Sequence, residues 1–517
     1  MSKDKFLRGA MILTAAGLMV KIIGSVNRIL LSRLLGGEGI GLYQIAYPVY
    51  LLLLSISSAG IPIAISILVS ERVAREEYQG VRHVFRTSIR MMACVGIGLA
   101  VLLYLAATWL IEAGIVQDAR AYYALAALTP AIFFASILAC FRGFFQGWQL
   151  MTPPAVSQIA EQFIRVCTMI VLAYFLLPYG LEYAAAGAAF GAVPGSLTGI
   201  LVLGYFYKKY NKLWKAKENL LPVELPKEKT SLLIKRMILL ALPVSLANVM
   251  VPVSSSVDML IVPNRLVDAG FSVAEATTLF GYLAGMAQPL IMMATIPTLS
   301  LAQSLVPAVS EAFTLKDFAT VQAKSSTAMK LCCLITVPAA VGMTVLATPI
   351  SLLLYGTAKA SLAICHSGLA IWLLGMQQIT ASMLQGIGKI NLPMMHMLIG
   401  ILTKIVAVYF LTDARLNIMG AAWATNINFG LTALLNIWAL SKAGIRFQYG
   451  VIIKIILASA LMGLAGYIAE PYIIGSKLGT VVTIFGSGIV YAILLCFLGI
   501  LTKEEAKHLP IIKKFIH

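Results

Sequence analysis

Apolar runs of about twenty residues follow one another along almost the whole chain, separated by short polar turns, the spacing that a bilayer asks of helices. Fourteen runs fall roughly at 9–33, 43–69, 88–111, 121–141, 154–177, 184–206, 237–262, 277–308, 329–353, 361–385, 393–411, 417–440, 450–469 and 478–500. The pattern predicts an all-α integral membrane protein with 14 transmembrane helices. The first run does not read as a cleaved signal peptide: its opening apolar stretch stops at Lys21, no small-residue cleavage site follows, and many more spans come after it.

Composition removes the alternatives. Apolar residues make up 60% of the 517 positions and charged residues 12%, against about 45–50% and about 25% in ordinary globular domains. Single soluble cores stop growing near ~250–300 residues, so a soluble enzyme is excluded, as are a disordered chain and a coiled coil.

The formal charge of +18, from 39 Lys and Arg against 21 Asp and Glu, invites a nucleic-acid reading until it is located. Counted over alternate loops, 29 of the 39 bases fall on the side holding both termini and only six on the other. The positive-inside rule therefore places the N- and C-termini in the cytoplasm, and the charge reports topology rather than a nucleic-acid partner.

Short sequence matches recur at nearly constant spacing, the mark of an internal repeat. Gln146-Gly147 with Pro154 returns as Gln385-Gly386 with Pro393, Val69-Ser70-Glu71 as Val309-Ser310-Glu311, Pro48 as Pro289, and Gly187-Ala188-Ala189 as Gly420-Ala421-Ala422. The predicted organisation is an N-lobe over 1–207 (helices 1–6), a basic cytoplasmic linker over 208–236 and a C-lobe over 237–441 (helices 7–12). Two extra helices occupy 442–500 and a cytoplasmic tail 501–517. Parallel repeats of this kind build a cavity between pseudo-symmetric lobes.

Only four bases, Lys21, Arg28, Arg165 and Lys404, and two acids, Glu161 and Asp258, lie within the spans. Such groups cost about 2.5–3.5 kcal/mol at mid-bilayer even on the lenient insertion scale, so they normally face a cavity or a partner. Gly24 and Arg28 follow Lys21 at i+3 and i+7, on one helical face; for Arg28, snorkelling towards the outer boundary is an equal alternative. Arg165 lies 11 residues after Pro154 and Lys404 11 residues after Pro393, equivalent positions of the repeat. An in-helix ion pair of Arg165 with Glu161 at i−4 competes with a binding role; Lys404 has Gly400 at the matching place. The excess of bases points to an anionic cargo, for which phosphate or diphosphate suits guanidinium and ammonium donors.

Neither a Walker A loop nor metal-ligand spacing appears among the five histidines, and the seven cysteines lie in apolar spans without a CxxC pair. Prolines within spans, Pro48, Pro62, Pro289 and Pro297 among them, predict kinks or breaks that bend helices or line a cavity.

The segments LSRLLGGEGIGLYQIAYPVY (31–50), GIPIAISILVSERVAREE (60–77), FRGFFQGWQLMTPPAVSQIAEQFIR (141–165), VDMLIVPNRLVDAG (257–270) and MLQGIGKINLP (383–393) resemble the stage V sporulation protein B branch of the polysaccharide exporters. That branch lies within the multidrug/oligosaccharidyl-lipid/polysaccharide exporter superfamily, and the likeness spans nearly the whole chain. The resemblance implies two six-helix lobes around a V-shaped cavity and the flipping of an undecaprenyl-diphosphate-linked saccharide, such as the peptidoglycan precursor lipid II, for wall or spore-cortex synthesis. It implies that the two extra helices line a groove for the lipid tail. Cell-wall synthesis enzymes and membrane lipids would be its partners, with no cofactor beyond coupling to membrane potential, protons or sodium ions.

In the lipid II flippase relatives two arginines flank a glycine on the first helix. Here Lys21 stands at the first position before Gly24, and Asn27 at the second, with Arg28 one residue later. The relatives' arginines on helices two and eight have no basic match, and Arg265, in the VPNRL motif, is the candidate replacement. Other readings stay open: a flippase for another lipid-linked polysaccharide, a multidrug or cation antiporter of the same fold, coupled through Glu161 or Asp258, and a non-transporting scaffold of a wall-synthesis complex.

Overall fold

The computed structural model describes residues 3–58, 60–220, 228–447, 449–473 and 475–500, and every regular element among them is helical. The predicted tail, 501–517, and positions 221–227 of the basic linker lie outside the described residues. Among the described residues eleven helices are long and apolar enough to cross a membrane, twelve when a bent pair counts as one span. Fourteen predicted spans are compatible with this: one qualifying stretch, Met11–Ala74, covers two of them, and the predicted seventh span falls on a further long helix, Thr230–Asp268, outside that count.

The chain packs as two compact units, Met1–Gly281 and Tyr282–His517. The first holds α1 (Lys3–Ser58), α2 (Ile61–Ala74), α3 (Tyr78–Glu112), α4 (Ala121–Gly147), α5 (Thr152–Leu176), α6 (Leu181–Phe190), α7 (Ala192–Leu220), α8 (Thr230–Asp268) and α9 (Val273–Phe280). The predicted loop between the first two spans is replaced by one break inside α1, at Gly36 with φ 66° and ψ −171°. That region of backbone space is essentially open to glycine alone, so a single residue turns the chain.

Glycines then let backbones meet. A Cβ on Gly41 would lie 2.1 Å from the Thr277 carbonyl oxygen, and one on Gly60 2.1 Å from that of Ala241, so α1 closes on α9 and the start of α2 on α8. Gly41→Ala is expected to lower the thermal stability of the purified protein by about 1–3 kcal/mol, the usual cost of forcing a methyl into filled space. A melting temperature unchanged from wild type would refute the close packing.

Further ties hold α8 in this unit. Gly60 N–H donates to Ser245 Oγ at 3.2 Å, and Asn264 Nδ2 donates to the Ile115 carbonyl at 2.8 Å. Glu228 pairs with Arg72 and Arg236, and Arg236 also reaches Glu71 at 3.0 Å. The packing division therefore follows α9, whereas the repeat places its own boundary in the basic stretch. Much of that stretch is helical: α7 runs on to Leu220, and Trp214 stacks on Trp148 at 5.0 Å between ring centroids.

The second unit begins in a π-helical turn, Gly281–Ala287, that crosses the division. It continues through α10 (Gln288–Ala294), α11 (Ile296–Thr314), α12 (Phe318–Val345), α13 (Ala347–Tyr355), α14 (Ser361–Ser367), α15 (Leu369–Gly386), α16 (Asn391–Leu411), α17 (Ile418–Lys442), α18 (Tyr449–Ile473) and α19 (Lys477–Phe497). Three of the prolines start helices after breaks, Pro62 in α2, Pro289 in α10 and Pro297 in α11, while Pro48 lies inside α1. At the start of α12 the Asp317 carboxylate accepts from Thr320 N–H at 3.0 Å and from Thr320 Oγ1 at 2.6 Å, and these bonds hold its carboxyl below the ordinary range.

The repeat is visible within each unit. A Cβ on Gly147 would meet Val69 Cβ at 2.6 Å, and one on Gly386 would meet Val309 Cβ at 2.8 Å. The turns after α2 and α11 place Glu76 at φ 60° and Lys316 at φ 57°. Their hydrogen bonds also correspond: Glu77 N–H to the Arg72 carbonyl, and Asp317 N–H to that of Ala312. Helices α5 and α16 begin at matching positions, Thr152 and Asn391, which sets Arg165 and Lys404 at the same height along their own helices.

Candidate functional site

In the first unit the charged side chains gather where α5 packs on α1 and α4. Ser157, Glu161 and Arg165 recur every fourth residue of α5 and so share one face. Arg142, near the end of α4, donates through Nε to Ser157 Oγ at 3.4 Å and through Nη2 to Glu161 at 2.6 Å. The other Glu161 oxygen accepts from Arg165 Nη2. The expected in-helix pair is therefore present, but the carboxylate is shared by two guanidinium groups. Gly195 on α7 backs this segment: a Cβ there would lie 2.9 Å from Arg165 Cβ.

The break at Gly36 returns α1 alongside itself, bringing Arg28 over the Tyr47 ring with its Cζ 5.7 Å from the centroid, within cation–π range. Tyr43, Tyr47 and Tyr50 lie on one face of α1; the first two stack at 5.2 Å, and the third lies 5.9 Å from Tyr47. Arg165 of α5 comes near the same tyrosines, where α5 packs on α1. The Tyr50 hydroxyl and Arg165 Nε are buried without hydrogen-bond partners among the described residues.

The remaining candidates divide. Lys21 is exposed, with no ion pair among the described residues, and Gly24 abuts Gln162 of α5, whose Nε2 would lie 3.2 Å from a Cβ. Asn27 is buried and donates to Met169 Sδ at 3.3 Å, which makes it a tie between α1 and α5. Asp258 is buried within α8, and Arg265, in the last turn of α8, pairs with Asp268 at 3.3 Å.

In the second unit Lys404 is 2% exposed and shares the buried face of α16 with His396 and Gly400. Gly400 admits α17 so closely that a Cβ would lie 2.3 Å from Thr432 Oγ1 and 2.4 Å from Asn428 Oδ1. One turn earlier, His396 Nδ1 lies 2.8 Å from Asn436 Oδ1, and Asn436 Nδ2 donates to Thr380 Oγ1 at 3.2 Å. Lys404 thus belongs to a helix face lined with amides and hydroxyls.

The same unit carries an apolar groove of about 450 Å³ between α12 and the last two helices. Its walls include Leu334, Pro338, Gly342, Met462, Ile484 and Gly488. Tyr491 closes one side by donating to the Leu334 carbonyl at 3.1 Å. Gly342 and Gly488 face open space. A groove on the two extra helices follows from the family resemblance alone; no sequence motif marks its walls.

By its place in the sequence Arg142 is one of the 29 bases on the side of the termini, at the edge of an apolar run. Helix α4 runs on to Gly147, so Arg142 stands more than a turn inside the helix end. The signal available was its position 19 residues before Glu161, across a short turn between two helices.

The family model described as polysaccharide biosynthesis protein matches residues 6–313. Stage V sporulation protein B of Bacillus subtilis (strain 168) is 32% identical over 526 residues, covering 100% of both chains. Lipid II flippase MurJ of the same organism is 26% identical over 547 residues, covering 98% of each. Among solved structures, lipid II flippase MurJ in an inward closed conformation has a TM-score of 0.70 at 18% identity, covering 94% of this chain and 98% of that one; at that identity the likeness speaks for the fold.

Proposed function

Because the chain belongs to the polysaccharide biosynthesis protein family, we propose that it is a flippase. It moves an undecaprenyl-diphosphate-linked saccharide from the inner to the outer leaflet of the cytoplasmic membrane by alternating access. The carrying observation is the pair of guanidinium groups, Arg28 and Arg165, gathered on a tyrosine face inside an apolar helix unit. Diphosphate offers the several oxygens that such forks can bind in pairs. The likeness to a lipid II flippase over 98% of both chains makes lipid II the cargo of choice.

In this reading Arg28 and Arg165 hold the diphosphate, with Lys21 and Arg265 as further candidate cations of the first unit and Lys404 as the candidate cation of the second. The prenyl tail lies in the apolar groove of the second unit. The termini face the cytoplasm. Membrane potential acting on the bound charge biases the cycle, with protons or sodium ions at Asp258 as the alternative coupling. An antiporter coupled through Glu161 is the weaker reading, since two guanidinium groups already hold that carboxylate.

Complementation tests the proposal. Expressed in a strain depleted of its lipid II flippases, the protein is expected to restore growth and to expose lipid II headgroups on the outer leaflet. Growth without headgroup exposure would sink the lipid II assignment.

A further inference from the structure

We propose that Glu161 is a resident counter-anion: in the empty protein its carboxylate occupies guanidinium groups that cargo phosphate oxygens take on binding. The inference rests on the diphosphate reading above and adds to it a competitor built into the site.

The geometry is that of a carboxylate standing where a phosphate would fit. Glu161, 13% exposed at its side chain, accepts from Arg142 Nη2 at 2.6 Å and from Arg165 Nη2. Two guanidinium groups left bare among apolar helices would carry a heavy desolvation penalty, so the empty protein gains from an internal anion. One carboxylate neutralises only one of the two charges, and it leaves donors over. Arg165 Nε and the Tyr50 hydroxyl, both buried, have no hydrogen-bond partner among the described residues. Buried donors without acceptors are uncommon, and a diphosphate brings several oxygens where the carboxylate has two.

A permanent structural ion pair would also place these groups together, and the repeat separates the two explanations. The matching positions of the second unit are Ala381 for Arg142, Gly400 for Glu161 and Lys404 for Arg165. There α16 packs on α17 as α5 packs on α6 and α7, around a base whose corresponding places hold no acid or second arginine, so that packing does not depend on the triad. Exchange is mechanically simple as well. Glu161 and Arg165 stand on one face of α5, and side-chain rotation frees the guanidinium without moving a helix. Behind them Gly195 packs against α5 too closely to allow the backbone to retreat.

The counter-anion gives the cycle two properties. The empty protein can close with its cations partly neutralised. Cargo is released more readily, because the carboxylate competes for the guanidinium groups. Glu161 is thus a positioning residue that acts through Arg142 and Arg165.

The test measures binding of undecaprenyl diphosphate to the purified full-length protein in lipid nanodiscs. Glu161→Gln is expected to bind about tenfold more tightly than wild type, within the usual range of coupling between two ligands of one site. Glu161→Asp, which keeps the charge, is expected to stay near wild type, and Arg165→Gln to bind at least tenfold more weakly. A gain in affinity cannot arise from a damaged fold. If Arg165→Gln weakens binding while Glu161→Gln binds no more tightly than wild type, the counter-anion is overturned and the diphosphate site stands. If Arg165→Gln binds as well as wild type, both fall.

Discussion

Arg165→Gln is expected to abolish rescue of a strain depleted of its lipid II flippases, with outer-leaflet headgroup exposure falling about 30-fold or more. That factor corresponds to about 2 kcal/mol, the low end for removing a buried charge-assisted contact. The loss has two parts: the ligand loses a fork donor, and Glu161 keeps only Arg142. Lys404→Gln is expected to fail similarly, because Lys404 is 2% exposed and stands at the position that matches Arg165 in the repeat. Arg165→Lys keeps the charge but not the fork and should recover part of the activity. Normal headgroup exposure in both Gln variants, at wild-type protein levels, would rule out the cation site.

Gly488→Trp is expected to stop transport through the other half of the ligand. Gly488 and Gly342 line the apolar groove and face open space, so an indole at either place fills volume without displacing packed neighbours. Headgroup exposure should fall at least tenfold while the melting temperature stays within a few degrees of wild type. Gly98→Trp, at another open glycine on α3 outside the groove, serves as the control and should transport normally. Equal transport by Gly488→Trp and Gly98→Trp would mean that the groove holds no lipid tail.

Much of the scaffold is legible in the sequence because the bilayer leaves it little freedom. Spans announce themselves by length, and the repeat survives where glycine is required for packing, as at Gly147 on Val69 and Gly386 on Val309. The Glu161–Arg165 pair follows from helical spacing alone. What escapes is set by three-dimensional placement. Asn27 stands at the relatives' second arginine position, and its buried contact with Met169 has no mark in the sequence. Arg142 reads as a loop base, although α4 carries it to Glu161. The tyrosine face becomes visible only once α1 turns at Gly36 and brings Tyr47 under Arg28. The packing of α8 with the first unit depends on Gly60, Ser245 and Asn264, whose contacts no periodicity encodes.

Gly36 also has a mechanical meaning. Where most neighbouring spans are joined by turns of several residues, these two arms meet at a single residue, so a tilt of one arm is passed directly to the other. A push on Arg28 is carried along the first arm, through the elbow, into the arm that bears Tyr47. The angle seen at the joint uses a backbone conformation that belongs to glycine. Replacing it with any bulkier residue would not loosen the lever but force a different angle on both arms together.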